Sequence, residues 1–138
     1  MKKLLTCLVM AIVVLFAAPV WAQTWVTANQ GTVAWDAVAP IVATDTVKYQ
    51  VYTRIGTTGN GAPVGTEITA TQLAITFAIE GRYFVGVKTM RYPTGETVGI
   101  PSADTAWSND PLVCAAAGPF GFVYYVAPMA VKGLRTVP

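Results

Sequence analysis

TVKYQVYTR, residues Thr46 to Arg54, is the stretch on which the fold turns. Val47, Tyr49, Val51 and Thr53 fall on one side of an extended chain, and Lys48, Gln50, Tyr52 and Arg54 on the other. Successive side chains of a strand point to opposite faces, so the first set reads as core and the second as solvated or partner-facing. An amphipathic helix would repeat its apolar residues at three and four. Here they repeat at two.

The same period recurs outward in both directions. Thr32 to Val38 places Val33 and Trp35 on one face, Gln72 to Phe77 alternates Leu73, Ile75 and Phe77, and Arg82 to Arg91 alternates Tyr83, Val85, Val87 and Thr89. Val64 to Thr69 and Ser102 to Asn109 supply two more strands, with Trp107 inward on the latter, and Trp25 to Ala28 a short edge strand. Turn chemistry separates them: Gly59, Asn60, Gly61 and Pro63 after the third stretch, Glu80-Gly81 before the sixth, Pro93 to Glu96 after it. The expected fold is all-β, a two-sheet sandwich whose core holds Trp35, Tyr49, Val51, Tyr83, Val85, Val87 and Trp107.

The chain opens with Lys2 and Lys3, then an apolar run from Leu4 to Val20, then Val20 and Ala22 at −3 and −1 of a cut before Gln23. This predicts a signal peptide over 1–22 and an exported product in the periplasm, at the cell surface or in the medium. The nine Lys and Arg include Lys2 and Lys3, so the mature remainder balances the seven Asp and Glu. A neutral, charge-poor surface offers little counterion release to nucleic acid and little protection from self-association. With the leader removed, no membrane segment is expected. Cys7 leaves with it, making Cys114 a lone thiol, either a buried small hydrophobe or an intermolecular handle.

From about Gly31 to Asn109 the residues resemble a fibronectin type III domain. Trp35 in TVAWDAV is similar to the family's B-strand tryptophan, Tyr49-Gln50-Val51 to its C-strand motif, and Gln72 to Phe77 to its E strand. Tyr83-Phe84-Val85-Gly86-Val87 resembles the F strand with its corner tyrosine, and Trp107-Ser108-Asn109 the end of the G strand. The chain departs from the family in a long loop ending at Ile100-Pro101 and in Phe77 or Ile79 where a leucine precedes the corner. It also lacks a proline-rich opening strand and an Arg-Gly-Asp motif. The resemblance implies an immunoglobulin-like sandwich over 23–110 that spaces, scaffolds or binds; it does not fix a ligand.

No catalytic, cofactor or metal site is expected. The chain has no histidine, which removes the common nucleophilic triads and imidazole metal sites. Ser102 and Ser108 sit in no Ser–Lys motif, the acids are scattered, and Asp104, Asn109 and Asp110 lack calcium-loop spacing. Arg82, Lys88 and Arg91 near Phe84 and Tyr92 form a candidate face for a surface glycan. The segment 111–138 is apolar, with Phe120, Phe122, Tyr124 and Val126 alternating with Gly121, Val123 and Tyr125. It reads as a strand-like tail outside the sandwich that packs back on the domain or adds to a partner, with Phe120, Phe122, Tyr124, Tyr125 and Cys114 as candidate interaction residues. Pro128 to Arg135 resembles the opening strand of a further fibronectin type III domain. Two functions follow: a non-catalytic structural or protein-interaction module, self-assembling through its C-terminal strand, or a carbohydrate- or surface-binding accessory module.

Overall fold

The computed structural model describes residues 22–114 and 117–128. The expected signal peptide, apart from Ala22, and the opening-strand-like segment beyond Pro128 lie outside the described residues. The chain runs β1 (Thr24–Thr27), β2 (Gln30–Ala34), β3 (Thr46–Ile55), β4 (Ala62–Ile68), β5 (Gln72–Thr76), β6 (Gly81–Tyr92), β7 (Ile100–Pro101), β8 (Ala106–Trp107), α1 (Pro111–Cys114) and β9 (Phe120–Tyr124). Among the described residues it is all-β but for one helical turn, in two sheets. The larger follows the order β1-β9-β6-β3-β4, with β7 and β8 also on β6, and the smaller is the pair β2-β5.

β6 organises the larger sheet. One side pairs antiparallel with β3 over ten residue pairs, from Thr46↔Tyr92 to Ile55↔Tyr83. The other side takes three short strands in succession: β7 opposite Met90 and Arg91, β8 opposite Gly86 and Val87, β9 opposite Gly81 to Tyr83. These behave as one interrupted strand. Where β8 ends, the Ser108 N–H donates to the Val85 carbonyl (2.8 Å), and the Val85 N–H donates to Ser108 Oγ (3.1 Å). The chain then leaves through α1 and re-enters at Phe120, whose N–H donates to the Ser108 carbonyl (2.7 Å). Asp110 starts the turn by accepting the Leu112 N–H on its carboxylate, an N-cap contact.

Pairing across β3 and β6 sets the faces. Odd residues of both strands point inward, where Val51 (1% exposed), Tyr83 and Val85 (2%) meet Val33, Ile75 and Phe77 from the smaller sheet's side, and Phe122 (4%). Trp35, Val87, Phe120 and Tyr124 pack around this cluster. Tyr49 is buried beside Trp35, ring centroids 5.5 Å apart, its hydroxyl accepting the Val38 N–H. Phe77 stacks on Tyr83 at 4.4 Å and leans on Phe122 at 5.2 Å. The Tyr83 hydroxyl donates to the Ile79 carbonyl, four residues upstream.

Three expectations are corrected. Trp107 is not in the core: β8 pairs it with Gly86, an outward position of β6, and its indole rests where a Cβ on Gly86 would come within 2.7 Å. The regular strand expected over Ser102 to Asn109 is reduced to Ala106–Trp107, and β9 continues its line along β6. The sandwich is therefore not finished at residue 110. Phe120, Phe122 and Tyr124 alternate onto the inner face of β9, so Phe122 is core and is not free to meet a partner.

Phe122→Ala is expected to destabilise the domain by about 3–5 kcal/mol, the range for truncating a buried large aromatic. Wild-type denaturant and thermal midpoints in that variant would show that residues beyond 110 are accessory after all.

Candidate interaction surfaces

Two regions could meet a partner: the outer face of the larger sheet, and the edge of the smaller one with the cleft nearby. The outer face carries the even residues of β3 and β6. Arg82 lies over the Trp25 ring at 5.3 Å, Arg54 over Trp107 at 3.9 Å, and Lys48 over Tyr92 at 4.5 Å. Trp25 also covers Phe84, which is buried, and approaches Gly121 so closely that a Cβ there would come within 2.6 Å of the indole. Of the expected basic group, Arg82 and Lys88 share this face. Arg91 does not, since it falls on the inner side opposite Val47 and pairs with the Asp45 carboxylate at 2.5 Å.

The rings of this face are already engaged by its own cations. Arg54 donates to the Gly59 carbonyl (2.9 Å) and to Asn109 Oδ1 (3.0 Å) while it covers Trp107, tying the β3–β4 turn to the end of β8. The Tyr92 hydroxyl bonds the Glu67 carboxylate, which with burial and the Glu67 charge raises its pKa. A glycan stacking on these rings would compete with Arg82, Arg54 and Lys48.

The smaller sheet is different. Among the described residues β2 and β5 pair only with each other. The Trp35 N–H donates to the Thr71 carbonyl and the Phe77 N–H to Asn29, in a register of Gly31↔Ile75 and Val33↔Leu73. Hydrogen-bonded and non-hydrogen-bonded pairs alternate in an antiparallel ladder, so the amides of Gln30, Thr32 and Ala34 face away from β5. All three residues are exposed. A first strand laid along β2 would cover them, but β1 instead runs parallel to β9, from Thr24↔Phe120 to Thr27↔Val123.

Between the sheets lies a cleft of about 490 Å³, walled by Val33 and Trp35, by Val85 and Val87 of β6, and by Ser108. Val113, Cys114 and Phe120 line it from the segment that interrupts the β8–β9 line. The Trp35 indole Nε1 is buried and has no hydrogen-bond partner among the described residues.

The expected interaction residues are thus dispersed. Phe120 and Tyr124 pack on the core, Phe122 is in it, Tyr125 is 59% exposed just past β9, and Cys114 is half-buried in the cleft. Of the acids weighed for calcium, Asp110 holds the Leu112 N–H, and Asn109 beside it holds Arg54. Trp25 and the outward amides of β2 were missed as surface features. The first was read only as an edge-strand residue, and the second depend on strand order, which no local pattern encodes.

Among the described residues no helix is long and apolar enough to cross a membrane. Comparison with protein families, curated proteins and solved structures finds no match.

Burial first, and the Asp110 carboxylate second, push the Cys114 thiol above its ordinary pKa, and its S–H donates to the Ser108 carbonyl at 3.2 Å. Less thiolate forms at a given pH, so iodoacetamide should label folded protein more slowly than unfolded chain, with a pH midpoint shifted upward. A midpoint at or below that of the unfolded chain would contradict the packing of Cys114.

Proposed function

We propose that this chain is an exported, non-catalytic interaction module that binds a protein partner, a second copy of itself included, by strand addition at the open edge of β2. The bare edge carries the reading. Gln30, Thr32 and Ala34 present backbone groups unpaired among the described residues, and the strand holds no proline, charge or bulge that would discourage pairing. The edge of β4, by contrast, carries Pro63, Glu67 and a register shift opposite Tyr49 and Val51. In strand addition the main chain supplies the hydrogen bonds and alternate side chains supply the register.

The finer fold reading is an immunoglobulin-like sandwich of the fibronectin type III kind. It is supported by the β2-β5 pair opposed to a sheet in which β9, β6, β3 and β4 are neighbours, and by the hydroxyl of Tyr83 reaching back to the Ile79 carbonyl. Self-assembly through Phe120–Tyr124 loses support, because both sides of that strand are occupied, by β1 and by β6. The glycan reading ranks second, since the rings it would use already hold cations. Export rests on the leader's pattern.

Thr32→Pro tests the edge. Its lost N–H is one that does not serve β5, and proline is tolerated on edge strands. Light scattering behind size exclusion should show concentration-dependent association of the mature chain and a monomeric Thr32→Pro variant with a near-unchanged melting temperature. A wild type that stays monomeric at every concentration rules out a second copy as the partner, and equal association in the variant rules out the edge.

A further inference from the structure

We propose, on the premise of strand addition at β2, that the open edge and the cleft are two halves of one groove. The groove takes a free extended segment of a partner chain, with aliphatic side chains at alternate positions and a basic residue at the Asp36 end.

The lining residues put the cleft beside the edge. Val33, Ala34, Trp35 and Asp36 all line it, although neighbouring residues of an extended chain point to opposite faces. A cavity meets both sets by lying along the side of the strand. None of its described lining residues belongs to β5 or to β3. It therefore opens on the side of β2 that faces away from β5, across from Ala106, Ser108, Val113 and Phe120. Hydrogen-bonded strands lie about 4.8 Å apart and facing sheets about 10 Å apart. A strand paired to the outward amides of Gln30, Thr32 and Ala34 thus lies over the cleft, and its inward side chains enter it.

The walls set the chemistry of that strand. Its inward side chains meet Val33, Val85, Val87, Val113 and Phe120 in a volume of about 490 Å³. β-Branched aliphatic residues suit both an extended backbone and walls of this kind. Asp36, exposed at the margin, is the one charged side chain in the lining, so it favours a lysine or arginine at that end of the segment. A second copy presenting its own β2 would pair main chain and leave the cleft unfilled, because its inward Val33 is already buried in its own core. The occupant is therefore a segment that is not part of a finished sandwich.

Two peptides test this on the mature chain: Ac-Lys-Val-Thr-Val-Thr-Val-Lys-NH2, and its counterpart with serine for each valine. They share charge, length and main chain, and their side-chain order is the same in either strand direction. Amide exchange at Thr32 and Ala34 reports pairing at the edge, and iodoacetamide labelling of Cys114, which lines the cleft, reports its filling. The valine peptide should slow both in a saturable way and bind at least about tenfold more tightly than the serine peptide. Its affinity should fall about two- to threefold in Asp36→Asn. Thr32→Pro should abolish both effects. Val113→Trp, at a half-exposed lining position, should cancel the valine preference, and it decides the matter if Thr32→Pro does not fold. Equal binding of the two peptides at an edge that Thr32→Pro closes would overturn the groove and leave strand addition standing. Effects undiminished in Thr32→Pro would overturn both. No saturable effect of the valine peptide, an undiminished valine preference in Val113→Trp, or undiminished affinity in Asp36→Asn would overturn the proposal.

Discussion

Ser108 holds the constraint on which the sandwich depends. Its N–H and Oγ grip both backbone polar groups of Val85 at the centre of β6, and its carbonyl receives Phe120 and the Cys114 thiol. The residue is 5% exposed, so each of these groups would be left unpaired in the interior without its partner. By closing residues 108 and 120 on each other, it lets the β8–β9 line make a long excursion and resume on β6. β9 can then deliver Phe122 to the aromatic cluster with Phe77 and Tyr83.

The excursion has consequences on both sides of the sandwich. β9, extending past the break, offers a free edge that β1 takes in parallel. Trp25 is thereby laid across Phe84 and Gly121 on the outer face, and Arg82 settles over it. The strand that fills this place no longer covers β2, whose outward amides remain unpaired among the described residues. The segment between Ser108 and Phe120 meanwhile lines the gap between the sheets with Val113 and Cys114. An open edge and a lined cleft both follow from the excursion between Ser108 and Phe120.

Much of this was legible in the residues, and the limits have physical causes. Period-two alternation located β3, β5 and β6, because inward and outward sets differ sharply in polarity there; Val51, Ile75 and Val85 are all buried. It misplaced Trp107, since large aromatic rings suit a core or a crowded outer face equally, and the deciding partner, Gly86, has no side chain to signal the space it leaves. It also set the Phe120–Tyr124 strand apart as a tail. Local pattern shows that a segment is extended and apolar, but not that a hydrogen bond from Phe120 back to Ser108 brings it into register. The cleft was invisible for a similar reason: Trp35, Val87 and Cys114 are far apart along the chain, and the first two read simply as core.

Native-state hydrogen exchange of the backbone amides tests the arrangement most directly. If β2 pairs on one side only, Val33 and Trp35 should be protected while Thr32 and Ala34 between and beside them exchange at near open-chain rates, and the Phe120 amide should be as slow as that of Val85. Uniform protection along β2 at concentrations where the chain is monomeric would contradict the open edge. A fast-exchanging Phe120 beside a slow Val85 would contradict the closure at Ser108.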